Sequence, residues 1–268
     1  MHYANIITLT TDFGLQDAYV GQLKGAILKS NISVRIIDLC HTIAAHDVLS
    51  SAITIQTGYN YFPKGTVHMV IVDPGVGSQR GILAVKANDH LFIGPDNGVL
   101  TLILEDNKFQ DVHRVENASL FPTEISSTFH GRDIMAPIAA ALAGGMQLEA
   151  VGPTTTIQHC VRLSIPKPTL TETTLEGEVI HIDVFGNLRT NITAADLSRY
   201  QPSRFSSIRI KGHQINTIAD TYANAPTGTL VAVIDSAGYL EIAVNRGNAA
   251  ELTKSHLGTE LLLLMQAQ

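Results

Sequence analysis

The chain has 268 residues, 45% of them hydrophobic and 16% charged, with slightly positive mean hydropathy. That is a core-rich globular composition, long enough for one large or two modest domains, and it excludes a disordered chain. Eighteen basic against twenty-four acidic residues leave a net charge of −6, without the basic excess a nucleic-acid binder uses to release counterions.

In chain order, Ile6 to Leu9 reads as a short buried strand running into the polar turn Thr10-Thr11-Asp12-Phe13-Gly14. Asp17 to Ser30 has helical spacing of apolar residues, Val34 to Leu39 reads as a strand, and Asp47 opens a second helix. Val67 to Val72 is a near-continuous apolar run, the pattern of a strand covered on both faces in a mostly parallel sheet. Ile82 to Val85 and Leu91 to Ile93 read as further strands, and Arg132 to Leu142 as an Ala-rich helix with Pro137 near its first turns or kinking it. Strand–helix alternation over residues 1–164 predicts an α/β layered domain with a mostly parallel central sheet. Ile165-Pro166-Lys167-Pro168 is a stiff connection at the domain boundary. Residues 165–268 carry short runs of strand character, at 177–183, 207–211, 229–234, 239–244 and 259–264, and predict a smaller all-β, barrel-like domain.

Two cysteines, Cys40 and Cys160, are too few for a disulfide framework. The N-terminus lacks a basic region and an apolar stretch of signal length, and no apolar run approaches the roughly 18 residues of a spanning helix. A cytoplasmic protein without membrane contact is expected. The chain has no phosphate loop with lysine, no G-x-G-x-x-G after the first strand and no H-E-x-x-H. Eleven histidines are scattered without an i, i+4 pair on one helix, so no metal ligand set is read from them.

Four polar segments depart from a plain core pattern. Asp12, beyond the first strand, lies where α/β sheets bind ligands and can accept from a ribose diol, or can close a turn. Asp73 and Arg80 span the loop Val72-Asp73-Pro74-Gly75-Val76-Gly77-Ser78-Gln79-Arg80 and can pair across it, at a site or as a loop staple. His130 in Thr128-Phe129-His130-Gly131-Arg132-Asp133 can be a positioned base or a structural group. Gly94-Pro95-Asp96-Asn97-Gly98 can be only a turn. In the second domain, Phe185 can stack on a base and Asn187 can bond an adenine edge, or the segment can be only a strand followed by a Gly-Asn bend.

Taken together and in this order, TTDFG at 10–14, VDPGVGSQR at 72–80, GPDNG at 94–98, TFHGRD at 128–133, DVFGNLRTNI at 183–192 and SAGYL at 236–240 decide more than any one of them. The chain resembles the S-adenosyl-L-methionine (SAM) hydroxide adenosyltransferases, or SAM hydrolases, relatives of the SAM-dependent chlorinases and fluorinases. The resemblance implies hydrolysis of SAM to adenosine and L-methionine by an enzyme that needs no cofactor and no metal. It implies a homotrimer with the site between subunits. It assigns Asp73, Arg80 and His130 to a water-activating triad, with the choice of base between Asp and His left open. Asp12 is then the ribose ligand, Phe129 a wall of the reaction centre, Asp183 the methionine ligand, Phe185 and Asn187 the adenine contacts, and Ser236 the methionine-end contact. Gly131 stands where fluorinases place a serine, which favours water over halide. Ala237 stands where fluorinases place an arginine, which leaves backbone amides to hold the methionine carboxylate. Arg246-Gly247 reads as an insertion near the adenine contacts. The rival readings are a SAM-dependent chlorinase, a non-catalytic SAM- or adenosine-binding protein, and a metal-dependent hydrolase built on the histidines.

Overall fold

The structure, a computed structural model, describes residues 4–199 and 205–265. The chain divides into two compact units, Met1–Leu163 and Ser164–Gln268.

In unit 1, β1 (Ile6–Thr11) leads to α1 (Tyr19–Ser30), β2 (Arg35–Cys40), α2 (Val48–Gly58), β3 (Val67–Ile71), β4 (Ile82–Ala87), β5 (His90–Pro95), α3 (Thr101–Leu104), β6 (Phe109–Arg114) and α4 (Ala136–Ala143). Asp47 starts α2 as the sequence predicts, its carboxylate accepting from the Ser50 N–H at 2.9 Å. The six strands form one sheet in the order β2-β1-β3-β5-β4-β6. β2, β1, β3 and β5 run parallel, but β4 is antiparallel to both β5 and β6. The sheet is therefore mixed, with β4 the one strand that runs against the others. The cause is local: Ala87 pairs with His90 across a two-residue turn, Asn88-Asp89, in which both residues have positive φ (49° and 61°). Such a turn joins adjacent antiparallel strands and leaves no room for a crossover.

Apolar layers cover both faces. Ile7, Leu9, Leu23, Ile27, Met135 and Ile138 pack α1 and α4 on one side, and Ile55, Val70, Val85, Phe92 and Leu100 pack α2 and α3 on the other. Core histidines are taken up by packing: His68 Nδ1 bonds Thr8 Oγ1 at 2.7 Å and its Nε2 meets His90 Nδ1 at 3.1 Å.

The Ala-rich helix begins differently from its sequence pattern. Gly131–Met135 is a π-helical turn, with the Ala136 N–H donating to the Gly131 carbonyl five residues back, and α4 follows with Pro137 in its first turn. Pro137 has no N–H, which disfavours a regular α-helical ladder here, and the wider turn is the local solution.

Unit 2 contains β7 (Thr169–Leu170), β8 (Thr174–Ile182), β9 (Leu188–Thr193), α5 (Ala194–Arg199), β10 (Phe205–Ile210), β11 (His213–Ile215), β12 (Ile218–Ala219), β13 (Leu230–Ile234), β14 (Tyr239–Val244), α6 (Ala249–Thr253) and β15 (Glu260–Met265). Its path is β11-β10-β15-β8-β9-β14-β13-β12, with β7 also on β8. Apart from the parallel β12–β13 pair the ladders are antiparallel, and β11 approaches β13 so that the sheet curls toward closure. The two short helices α5 and α6 qualify the all-β expectation. Among the described residues no helix is long and apolar enough to cross a membrane.

Candidate active site

The register of β1 on β3 builds the site. Thr11 pairs with Ile71, so the turn at 12–14 and the loop at 72–80 leave the sheet at the same carboxyl edge. The Thr11 hydroxyl accepts from the Phe13 N–H at 3.2 Å and donates to His41 Nδ1 at 2.9 Å, which leaves the His41 Nε2 proton facing Asp38 at 3.0 Å. The Gly14 N–H donates to the His41 carbonyl at 2.8 Å, closing the turn. Asp12 Oδ2 accepts from the His46 N–H at 2.9 Å.

Loop 73–80 folds as two short turns, with the Val76 N–H on the Asp73 carbonyl and the Ser78 N–H on the Gly75 carbonyl. They bring Arg80 back over Asp73. Arg80 Nε donates to Asp73 Oδ1 at 2.8 Å and Nη2 to Asp73 Oδ2, a two-pronged pair with side chains 9% and 6% exposed. The same Nη2 donates to His130 Nδ1 at 3.1 Å. Asp73, Arg80 and His130, 57 residues apart at their extremes, therefore meet around the one guanidinium. Arginine has no acceptor, so this contact fixes the His130 tautomer: Nδ1 carries a lone pair and Nε2 the proton. Burial, then the Arg80 charge, push the His130 pKa below the ordinary histidine value, against smaller opposite pulls from Asp73 and Asp133. His130 is neutral near pH 7.

Phe129, Phe13 and Tyr19 form a ring cluster with centroids 5.6 to 5.9 Å apart. Arg132 sits 4.9 Å over Phe129 and pairs with Asp133, which also accepts from the Ser126 N–H at 2.9 Å. Asp12, Phe13, Tyr19, Asp73, Phe129 and His130 line one cavity of about 450 Å³. Arg80 does not line it and stands behind the other two. A Cβ at Gly131 would meet Ile71 Cδ1 at 2.9 Å, so a larger residue at 131 displaces Ile71.

Tyr19 and His46 carry no site signal in the sequence. Tyr19 reads as an ordinary residue on an amphipathic helix, and His46 contributes through a main-chain N–H in a positive-φ conformation that no residue pattern encodes.

The remaining predicted residues lie in unit 2. Asp183, Phe185 and Asn187 share the turn between β8 and β9. Asp183 Oδ1 accepts from the Phe185 and Asn187 N–H groups, both at 2.9 Å, and Oδ2 accepts from Asn187 Nδ2 at 3.0 Å. Phe185 is 71% exposed. A Cβ at Gly186 would fall 2.0 Å from Asn248 Oδ1, so the 244–248 segment packs directly on this turn. Ser236 lies exposed in the separate β13–β14 turn, tied to the strand after Asn187 by Arg189 Nε on Asp235 Oδ2 at 2.6 Å. The backbone amides expected to hold a carboxylate here are already used. Asp235 Oδ1 takes the Ala237 and Tyr239 N–H groups, and the Asp235 carbonyl takes that of Gly238. Ser236 is the donor left in this turn. Among the described residues, no three His, Cys, Asp or Glu side chains gather as a metal site.

The model of the SAM hydroxide adenosyltransferase N-terminal domain matches residues 7–152, and that of the C-terminal domain matches residues 177–262. The chain belongs to this family. The family's "(R)-S-adenosyl-L-methionine hydrolase" of Salinispora arenicola is 36% identical over 256 residues, 95% of this chain and 96% of the relative. The protein of the same name from Thermus thermophilus is 33% identical and covers 95% of this chain and 97% of its own. A fluorinase from an Actinoplanes species is 30% identical over 270 residues, 90% of this chain and 91% of the relative. An uncharacterized conserved protein from Thermotoga maritima has a crystal structure that superposes with a TM-score of 0.89 at 36% identity, covering 96% of this chain and 99% of that one.

Proposed function

We propose that this chain hydrolyses SAM to adenosine and L-methionine by in-line attack of water on ribose C5′. The observation that carries the reading is the Asp73–Arg80–His130 assembly at a cavity that Asp12 and Phe129 also line. The relatives' name specifies the R configuration at sulfur, and the reading adopts that epimer.

The substrate is a sulfonium, so methionine leaves as a neutral thioether and needs no acid, metal or redox group. The demand falls on the nucleophile. A C5′–O bond forms as the C5′–S bond breaks, its electron pair passing to sulfur, and one proton leaves the water. Three side chains divide the work. Arg80 has no acceptor, and the His130 acceptor is taken by Arg80. The Asp73 carboxylate has lone pairs beyond the two that Arg80 uses, and Asp73 lines the cavity. Asp73 therefore takes the proton, and His130 Nε2–H donates to the water oxygen and orients it. Holding water in line makes the attack effectively unimolecular. Partial exclusion of bulk solvent favours a step in which a sulfonium charge disappears.

Asp12 keeps Oδ1 for a ribose hydroxyl while Oδ2 is held by His46. Asp183, Phe185, Asn187 and Ser236 serve the methionine and adenine ends. A homotrimer and a cytoplasmic location belong to the same proposal, on the strength of family membership and composition. The Asp73 carboxylate disfavours a halide at the position of attack, which weighs against the chlorinase reading. Incubation of each sulfonium epimer with purified protein, with and without chloride, tests the choice. Equal amounts of adenosine and methionine, independent of chloride, are expected from the R epimer. 5′-Chloro-5′-deoxyadenosine would identify a halogenase, and bound but intact SAM a binding protein.

A further inference from the structure

The GPDNG segment at 94–98 lies next to the cavity without lining it, yet both ends of loop 73–80 are fastened to it. Asn97 Nδ2 donates to the Val72 carbonyl at 2.8 Å, immediately before Asp73. The Asp96 N–H donates to the Gly81 carbonyl at 2.9 Å, immediately after Arg80. The segment is itself anchored: Asn97 Oδ1 accepts from the Val99 N–H at 3.1 Å, and Asp96 Oδ1 from the Val161 N–H at 2.7 Å.

We propose that Asn97 is a positioning residue for Asp73, acting through the Val72 carbonyl. This rests on the hydrolase reading above. The Val72 carbonyl, the Asp73 nitrogen and the Asp73 Cα lie in one peptide plane. An amide donor on that carbonyl sets the tilt of the plane, and with it the direction in which the Asp73 side chain leaves the main chain. Arg80 can correct only part of an error, because its own backbone is pinned at Gly81. The pair is thus held from below by a turn that touches neither substrate nor water.

The chemistry asks for a donor at this position. In Asn97→Asp the acceptor for Val99 survives, but the donor becomes a carboxylate oxygen facing the Val72 carbonyl. We expect kcat to fall about 10- to 100-fold, with the KM for SAM within about threefold of wild type. Asn97→Ala, which removes the donor without adding an acceptor, should fall between the two and carries the test where Asn97→Asp folds poorly. Thr101→Val is the structural control. It removes the hydroxyl bonds to the Gly98 carbonyl (2.6 Å) and from the Leu163 N–H (2.9 Å) in the same segment, and leaves Val72 and Gly81 alone. Thr101→Val should lower the melting temperature with kcat within about twofold of wild type. Wild-type kcat in both Asn97 variants would overturn the proposal, as would a loss in Thr101→Val equal to theirs. A wild-type chain that does not turn over SAM would sink the hydrolase reading instead, so the two failures are distinct.

Discussion

Arg80→Ala lowers kcat by about a thousandfold at saturating SAM, the scale of losing a preorganised charged group that holds the reacting atoms. The Arg80 guanidinium donates twice to Asp73 and once to His130 Nδ1, and its Nη1 reaches the Gly81 carbonyl at 3.4 Å. Without it, His130 is free to take the other tautomer and offer a lone pair, not a proton, to the water. Asp73, 6% exposed, loses the guanidinium it pairs with. Breaking a buried ion pair by removing one member costs about 3–5 kcal/mol, and the low end applies because Asp73 borders a solvent-reachable cavity. The fold is therefore weakened too, and a thermal melt separates the two effects. Arg80→Lys retains the charge but not the planar fork that spans both Asp73 oxygens and His130, so it recovers little activity. A folded Arg80→Ala chain with kcat within about tenfold of wild type would remove the guanidinium from the mechanism.

Gly77→Ala is the second large effect, and it acts on geometry alone. Gly77 has φ of +78°, which costs a residue with a side chain about 1–2 kcal/mol. More severe is the contact: a Cβ would fall 2.1 Å from the Ser127 carbonyl oxygen, a main-chain atom that no rotamer change can move. Either loop 73–80 or segment 126–129 must shift. The first carries Asp73 and Arg80, the second ends beside His130, and a displacement of about 1 Å is enough to cost about a hundredfold in rate. Gly212→Ala separates strain from collision, because Gly212 has the same φ of +78° with nothing within 4 Å of the added carbon. We expect Gly212→Ala to keep wild-type kcat and Gly77→Ala to lose at least about a hundredfold, with a lower melting temperature. Equal kcat in the two variants would show that the close approach at Ser127 does not hold the site together.

The parts of the site that the sequence made legible are those where chemistry and spacing coincide. Asp73 and Arg80 bracket one loop, and Phe129-His130 precedes a helix, so their residue types alone suggested a site. Much of the remainder depends on backbone conformation, which residue types announce poorly. The direction of β4 turns on two consecutive positive-φ residues, Asn88 and Asp89, in a segment read only as the gap between strands. The π-helical turn at 131–135 follows from a proline whose position was plain but whose consequence was not. Tyr19 and Phe13 join Phe129 because the start of α1 and the turn before it face the segment that leads into the π-helical turn. Asp235 occupies the amides that a carboxylate would have used, and Asn97 bonds the Val72 carbonyl; both are hydrogen-bond assignments that need coordinates. Strand β9 was hidden because its polar residues, Arg189, Thr190 and Asn191, interrupt the apolar pattern: Thr190 bonds the Leu240 carbonyl and Asn191 the Pro166 carbonyl.

In the proposed reaction a solvent molecule, held by Asp73 and His130 with Arg80 behind them, attacks C5′. Turnover of SAM in oxygen-labelled water, with mass analysis of every product, tests it most directly. One labelled oxygen is expected in the 5′-hydroxyl of adenosine, and none in methionine. Unlabelled adenosine, or 5′-methylthioadenosine accompanied by label in a four-carbon amino acid fragment, would contradict it.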